Sequence, residues 1–144
     1  IENKLDQAEA AFLKSLEIFD RITHFRGMAH VHNNLGILFR RKGDLKQAKK
    51  HYQNCLKIRR TIKDVSYLPQ ILNNLANVQY YEGNWKDAYE AYKEVLQISQ
   101  GLGLEETTAD VLDNLGMLLF HFGQIEDALI YEKKSIQTDY RLGN

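Results

Sequence analysis

Cysteine occurs once in the 144 residues, at Cys55, so the chain can form no internal disulfide. Every apolar run is broken within a few positions by Lys, Asp, Glu or Asn, and none approaches the ~18 to 20 residues of a membrane-spanning helix. The first thirty residues lack the basic start and apolar stretch of a secretory signal. Together these absences point to a soluble protein of the reducing cytoplasm. Net charge is missing too: 19 basic and 19 acidic side chains cancel, so no overall field draws the chain to nucleic acid or to an anionic membrane. Catalytic signatures are equally scarce. There is no HExxH, no CxxC and no serine elbow, and Gly101, Leu102 and Gly103 are too short and wrongly placed for a phosphate loop. His30 and His32, two apart on a helix, would point about 200° from one another, which is no metal site. Neither an enzyme, a cofactor nor a metal is expected.

What is present is a repeat. A shift of 40 residues returns Asn34, Leu35 and Gly36 as Asn74, Leu75 and Ala76, and again as Asn114, Leu115 and Gly116. Gly43 returns as Gly83 and Gly123. Beyond each glycine come Leu45, Trp85 and Ile125, then Ala48, Ala88 and Ala128, then Leu56, Leu96 and Ile136. Leu5, Ala8 and Leu16 extend these last three columns backward, and the joint between repeats recurs as Ile22, Ile62, Leu102 and Leu142.

Within a unit the apolar residues fall at helical spacing, as in Leu45, Ala48, Tyr52, Cys55 and Leu56, and strand alternation appears nowhere. Gly43, Gly83 and Gly123 suit the left-handed residue that stops a helix. Asp44 and Asn84 follow as N-caps for the next helix, Asp44 with capping-box spacing to Gln47. The spacing predicts helix pairs over 27–42 with 45–62, 67–82 with 85–101, and 105–122 with 125–141. A lone helix of the second type precedes them over 1–22. The bookkeeping is then 1–24 as the end of a truncated repeat, followed by repeats 25–64, 65–104 and 105–144. The expected fold is all-α, a solenoid of antiparallel helix hairpins that continues a longer array, because stacked repeats need polar caps at their ends.

With these columns assigned, the chain resembles the tetratricopeptide repeat (TPR) family. The carrying residues are His32, Leu35, Gly36, Phe39, Gly43, Ala48, Tyr52 and Cys55 in one unit, and Leu72, Leu75, Ala76, Gly83, Ala88, Tyr92 and Val95 in the next. It departs from the family in its period of 40 rather than 34, in lacking the terminal proline, and in Gln79, Glu132 and Ser135, which replace core types. The long period is similar to that of Pins-type and kinesin-light-chain-type repeats and of many bacterial signalling proteins. The resemblance implies a right-handed α-solenoid whose first helices line a concave surface. Small residues at Gly36, Ala76 and Gly116, facing Ala48, Ala88 and Ala128, would let the two helices of each hairpin cross closely.

With Leu35, Gly36 and Phe39 turned inward, six columns share the outward flank of the first helices. They read His30, Asn33, Asn34, Ile37, Arg40 and Arg41, then Gln70, Asn73, Asn74, Asn77, Tyr80 and Tyr81, then Asp110, Asp113, Asn114, Met117, Phe120 and His121. A merely solvated flank would be rich in Lys and Glu. Asparagine disfavours a helix interior, so its recurrence at 34, 74 and 114 needs a cause. Its amide either holds the main chain of a peptide ligand, the use the resemblance also implies, or bonds a neighbouring helix. Arg40 and Arg41 either receive carboxylates or form an ordinary basic helix end. Tyr80 and Tyr81 either line a groove with Met117 and Phe120 or pack on the next repeat.

The expected function is a scaffold that binds a partner peptide with acidic and apolar residues, the alternative being a peptide-sensing segment of a larger signalling or transcription-regulatory protein. Residues 40–63 carry ten Lys or Arg against Asp44, and 82–113 carry eight Asp or Glu against Lys86 and Lys93. Spread around helices, these charges face solvent, so nucleic acid and membrane are not the expected partners. Leu5, Phe12 and Phe19 at one end, with Ile136 and Leu142 at the other, would lack neighbours and favour end-to-end self-association.

Overall fold

The computed structural model describes residues 2–143. Ile1, Asn144 and the side chain of Leu142, the last of the joint column, lie outside the described residues. Among those residues the chain is helical without strands: α1 (Glu2–Arg21), α2 (Phe25–Arg41), α3 (Leu45–Thr61), a 3-10 turn (Val65–Tyr67), α4 (Leu68–Tyr81), α5 (Trp85–Gly101), α6 (Glu105–His121) and α7 (Ile125–Leu142). They fall into two compact units, residues 1–78 and 79–144, with the boundary inside α4.

The helix pairs fall where the repeat predicts, and the differences have local causes. Gly43, Gly83 and Gly123 take φ of 81°, 82° and 74°. A second left-handed stop recurs at the joint, where Thr23 (φ 54°) and Lys63 (φ 56°) adopt without glycine a conformation disfavoured by their Cβ atoms. Asp44 caps α3 as expected, accepting from the Gln47 N–H at 2.9 Å. Asn84 occupies the N-cap of α5, but its side chain turns to Glu82 and makes no cap bond. Two residues earlier than predicted, α2 begins at Phe25, because His24 Nδ1 accepts from the Gly27 N–H at 3.0 Å.

In the first unit, Val31, Leu35 and Leu38 of α2 pack against Leu5, Ala8, Phe12, Leu16 and Phe19 of α1. The expectation that Leu5, Phe12 and Phe19 lack neighbours is therefore corrected: the exposed large apolar residues of that helix are Leu13 and Ile18. On its other side α2 joins α3 and α4 in a core of Ala29, Ala48, Tyr52, Cys55, Ile71 and Val78. The Cys55 thiol is buried, and burial pushes its pKa up.

In the second unit, Val111, Leu112, Leu115, Leu118 and Leu119 of α6 are buried, with Ala88, Tyr92 and Val95 of α5 and Ala128 of α7. Ser135, in a core column, is satisfied by donating its hydroxyl to the Ala109 carbonyl at 3.1 Å. Thr108 likewise bonds Ser99 at 3.0 Å in a buried site.

The tight crossing differs between hairpins. A Cβ placed on Gly36 would lie 2.5 to 2.8 Å from the ring of Tyr52, one turn beyond the alanine that the repeat pattern set opposite. Glu132 stands in the column of Tyr52 and Tyr92 and is exposed, and a Cβ on Gly116 meets nothing nearer than 3.4 Å. Gly36→Ala should cost roughly 1 to 3 kcal/mol through overpacking. Gly116→Ala should instead raise stability by up to about 1 kcal/mol through helix propensity. Denaturant melts of both variants read the contrast, and equal shifts would contradict it.

Candidate functional site

In the first unit the outward columns are drawn partly into the core. Asn73 is only 3% exposed, and Ile37 packs against the α2–α3–α4 cluster. Asn74 donates its side-chain N–H to Asn33 Oδ1 at 3.2 Å, tying α4 to α2. Arg40 lies half-buried beside the Tyr52 hydroxyl, where it partly offsets the rise in the phenol's pKa that burial causes. Asn34, Gln70 and Asn77 are half-buried, whereas His30 and Arg41 face solvent.

The second unit presents a more open surface. Tyr80 is buried and meets Tyr81 edge to face, with centroids 5.3 Å apart, and His121 at 5.6 Å. His121 also stacks on Trp85 at 5.7 Å. Tyr81, Met117 and Phe120 are exposed, Phe120 by 64%. Asp110 and Asp113 face solvent, and Asn114 is half-buried. Although Asp110 sits at the surface, the chain around it desolvates its carboxyl, and with the like charges of Glu106, Asp113 and Asp139 this raises its pKa.

Between α6 and α7 lies a cleft of about 590 Å³, with Asp113, Asn114, Met117 and Phe120 on one wall. The other wall is Ile125, Ala128, Leu129 and Glu132. The α6 wall consists of residues from the outward columns together with Gly116, and the α7 wall lies outside those columns. Glu132, the break in the aromatic column, was the available signal. Trp85 was also missed as a neighbour of the exposed aromatics.

The sequence profile described as Tetratricopeptide repeat matches residues 2–61 and 67–140. The chain belongs to the tetratricopeptide repeat family. A search of curated proteins finds no significant match. Among solved structures, this TPR chain is similar to BtubC (BKLC) from P. vanneervenii, with 26% identity and a TM-score of 0.78 over 96% of the chain and 58% of that protein. It resembles aspartyl phosphate phosphatase F from Bacillus subtilis at 14% identity and a TM-score of 0.72, covering 97% of this chain and 42% of the other. The TPR domain of Arabidopsis FLU aligns at 16% identity and a TM-score of 0.68, over 78% of this chain and 95% of that one. The chain thus spans little more than half the length of BtubC. Its fold is the all-α helical repeat of these structures, and TPR folds serve in general as non-catalytic scaffolds for protein interaction. No described helix is long and apolar enough to cross a membrane.

One polar pair inside the first TPR hairpin is chemically distinct. His32 Nδ1 and His51 Nδ1 are 2.9 Å apart, so one ring carries the shared proton and the other accepts it. Phe39 stacks on His51 at 5.3 Å. Among the described residues no three His, Cys, Asp or Glu side chains converge on a metal position. Burial, then the charge of His51, lowers the His32 pKa from 6.5 to about 4. Burial and Lys50 lower that of His51, against an opposing effect of Glu9. The folded state therefore disfavours the proton: the stabilisation is fully present above about pH 6.5 and is lost as pH falls toward 4. The loss should be on the order of 2 kcal/mol. His32→Leu, which installs the residue of Leu72 and Leu112, should flatten this limb of a stability–pH curve, and an unchanged slope would refute the assignment.

Proposed function

We propose that this chain is a cytoplasmic interaction module of a signalling assembly, holding a short peptide segment of a partner protein on the outward flank of its first-type helices. The observation that carries the reading is the exposure of Tyr81, Met117 and Phe120 on that flank in the second unit, where a solvated helix would carry Lys and Glu. Aromatic and methionine side chains give large contact area and adapt to a ligand's shape. In the first unit, taken by itself, the exposed Arg41 suits a carboxylate of a partner, while Arg40 is engaged beside Tyr52. The Asn33–Asn74 bond supports a structural role for Asn74, so the proposal assigns ligand contact first to the exposed side chains rather than to the asparagine column. Self-association belongs to the same reading. It is supported by Leu129, Ile130, Ile136 and Tyr140 on α7, all exposed.

Selection from a peptide library on the immobilised chain tests the proposal. Binders should lose about 1 to 2 kcal/mol of affinity on Tyr81→Ala and on Phe120→Ala, with melting unchanged. Asn74→Ala should instead lower stability by about 1 kcal/mol by removing the tie to Asn33. Selected peptides indifferent to both aromatic changes would overturn the proposed surface.

A further inference from the structure

Helix α3 carries six Lys or Arg and no Asp or Glu. Lys46, Lys50, Lys57 and Arg60 recur along it at helical spacing, with Gln53 between the two pairs, and all five residues are exposed. They form one stripe about 21 Å long. Among the described residues none of these four cations has an ion-pair partner, whereas Lys42 is held by Asp6 and Glu9 and Lys93 by Glu90. Because α3 stands mid-chain, preceded by α1 and α2 and followed by α4 to α7, the exposure of its outer face does not come from an end of the sequence.

The stripe is unfavourable for the helix that bears it. Lys46 neighbours Lys50 four residues on, and Lys57 neighbours Arg60 three residues on, so like charges repel along the surface of α3. Lys46 also lies in the first turn, where the helix dipole favours anions, and that turn has no carboxylate. Nor does the repeat require it. One repeat back, the same columns hold Asp6, Glu17 and Asp20, and one repeat on they mix Lys86 and Lys93 with Glu90. A charge pattern that disfavours its own helix and departs from the repeat points to something outside the fold that it meets.

We propose that the outer stripe of α3 is a second interaction surface, receiving an acidic segment of a partner polypeptide whose carboxylates recur about every 6 Å. The stripe belongs to a second-type helix and is separate from the proposed groove on the first-type helices, so it stands whether or not that groove binds. Three features select a polypeptide among anionic partners. A nucleic-acid duplex or a bilayer is broader than one helix and would also meet the carboxylates in the matching columns of α1. Single-stranded nucleic acid stacks its bases on aromatic rings, and the stripe has none. No apolar residue interrupts the stripe to enter a membrane interface. Glutamate or aspartate side chains, each meeting one cation, need only the four charged heads that are present.

The test measures binding of labelled probes to the whole chain at low and high salt. The probes are a peptide of about twenty residues with glutamate at every third or fourth position, the same peptide with glutamine there, a single-stranded oligonucleotide of equal charge, and phosphatidylserine vesicles. At low salt the glutamate peptide should bind at least about tenfold more tightly than the glutamine peptide, and high salt should remove most of the difference. Lys57→Gln should weaken it about threefold. Lys46→Glu should weaken it about tenfold and, by relieving repulsion and suiting the helix dipole, raise the melting temperature at low salt. Tyr81→Ala, in the groove, should leave the glutamate peptide's affinity unchanged. Equal affinities for the two peptides, indifference to Lys46→Glu and Lys57→Gln, or a melting temperature that falls on Lys46→Glu would overturn the proposal. So would tighter binding of the oligonucleotide or the vesicles than of the glutamate peptide, since the partner would then be another polyanion. Salt-sensitive self-association that Lys46→Glu abolishes would overturn it as well, because a second copy would then occupy the stripe.

Discussion

The close approach of α2 and α3 at a single small residue is the constraint on which the first unit depends. At Gly36 the Tyr52 ring occupies the space where a Cβ would sit, so ring and glycine form one interlocking feature. A methyl there would force α3 away from α2. The Ala48, Cys55, Ile71 and Val78 contacts that share this core would loosen with it. In a repeat protein each hairpin buries only part of its apolar surface internally, and the rest must be covered by a neighbouring helix. A spacing error at one crossing is therefore passed to the next seat.

The same period that builds the scaffold also marks where it departs from scaffolding. Where a column keeps its type, as Ala48, Ala88 and Ala128 do, the residues are buried. Where a column changes type, local chemistry appears. His32, in the column of Leu72 and Leu112, brings the histidine pair into the first hairpin. In the column that continues as Ser99, Arg59 is buried, bonded to Asp64 and stacked 4.1 Å over Tyr67. Glu132 stands in the column of Tyr52 and Tyr92 and lines the α6–α7 cleft with a carboxylate in place of a ring. Departures from the repeat, more than the repeat itself, locate the candidate ligand chemistry.

Much of the fold was legible because glycine, alanine and leucine columns report backbone geometry directly. The stops at Gly43, Gly83 and Gly123 and the helices on either side of them follow from one-dimensional spacing. The start of α2 did not, because His24 is not a usual capping residue and its role needs the Gly27 amide beside it. The neighbours of Leu5, Phe12 and Phe19 were misjudged because helical spacing shows that a face is apolar without showing which element covers it. At the site, exposure of Tyr81, Met117 and Phe120 agrees with the outward columns, while Asn73 of α4 is buried and Ile37 of α2 packs into the core that α4 shares. The α7 wall could not be read from first-helix columns at all, since Ile125, Ala128, Leu129 and Glu132 belong to a second-type helix.

If the ring-into-glycine crossing sets local stability, native-state hydrogen exchange should resolve it helix by helix. Amides around Gly36 and Tyr52 in α2 and α3 should exchange with higher opening free energies than those around Gly116 and Glu132 in α6 and α7, where no ring fills the crossing. Equal protection of the two hairpins, or greater protection of α6 and α7, would contradict that account.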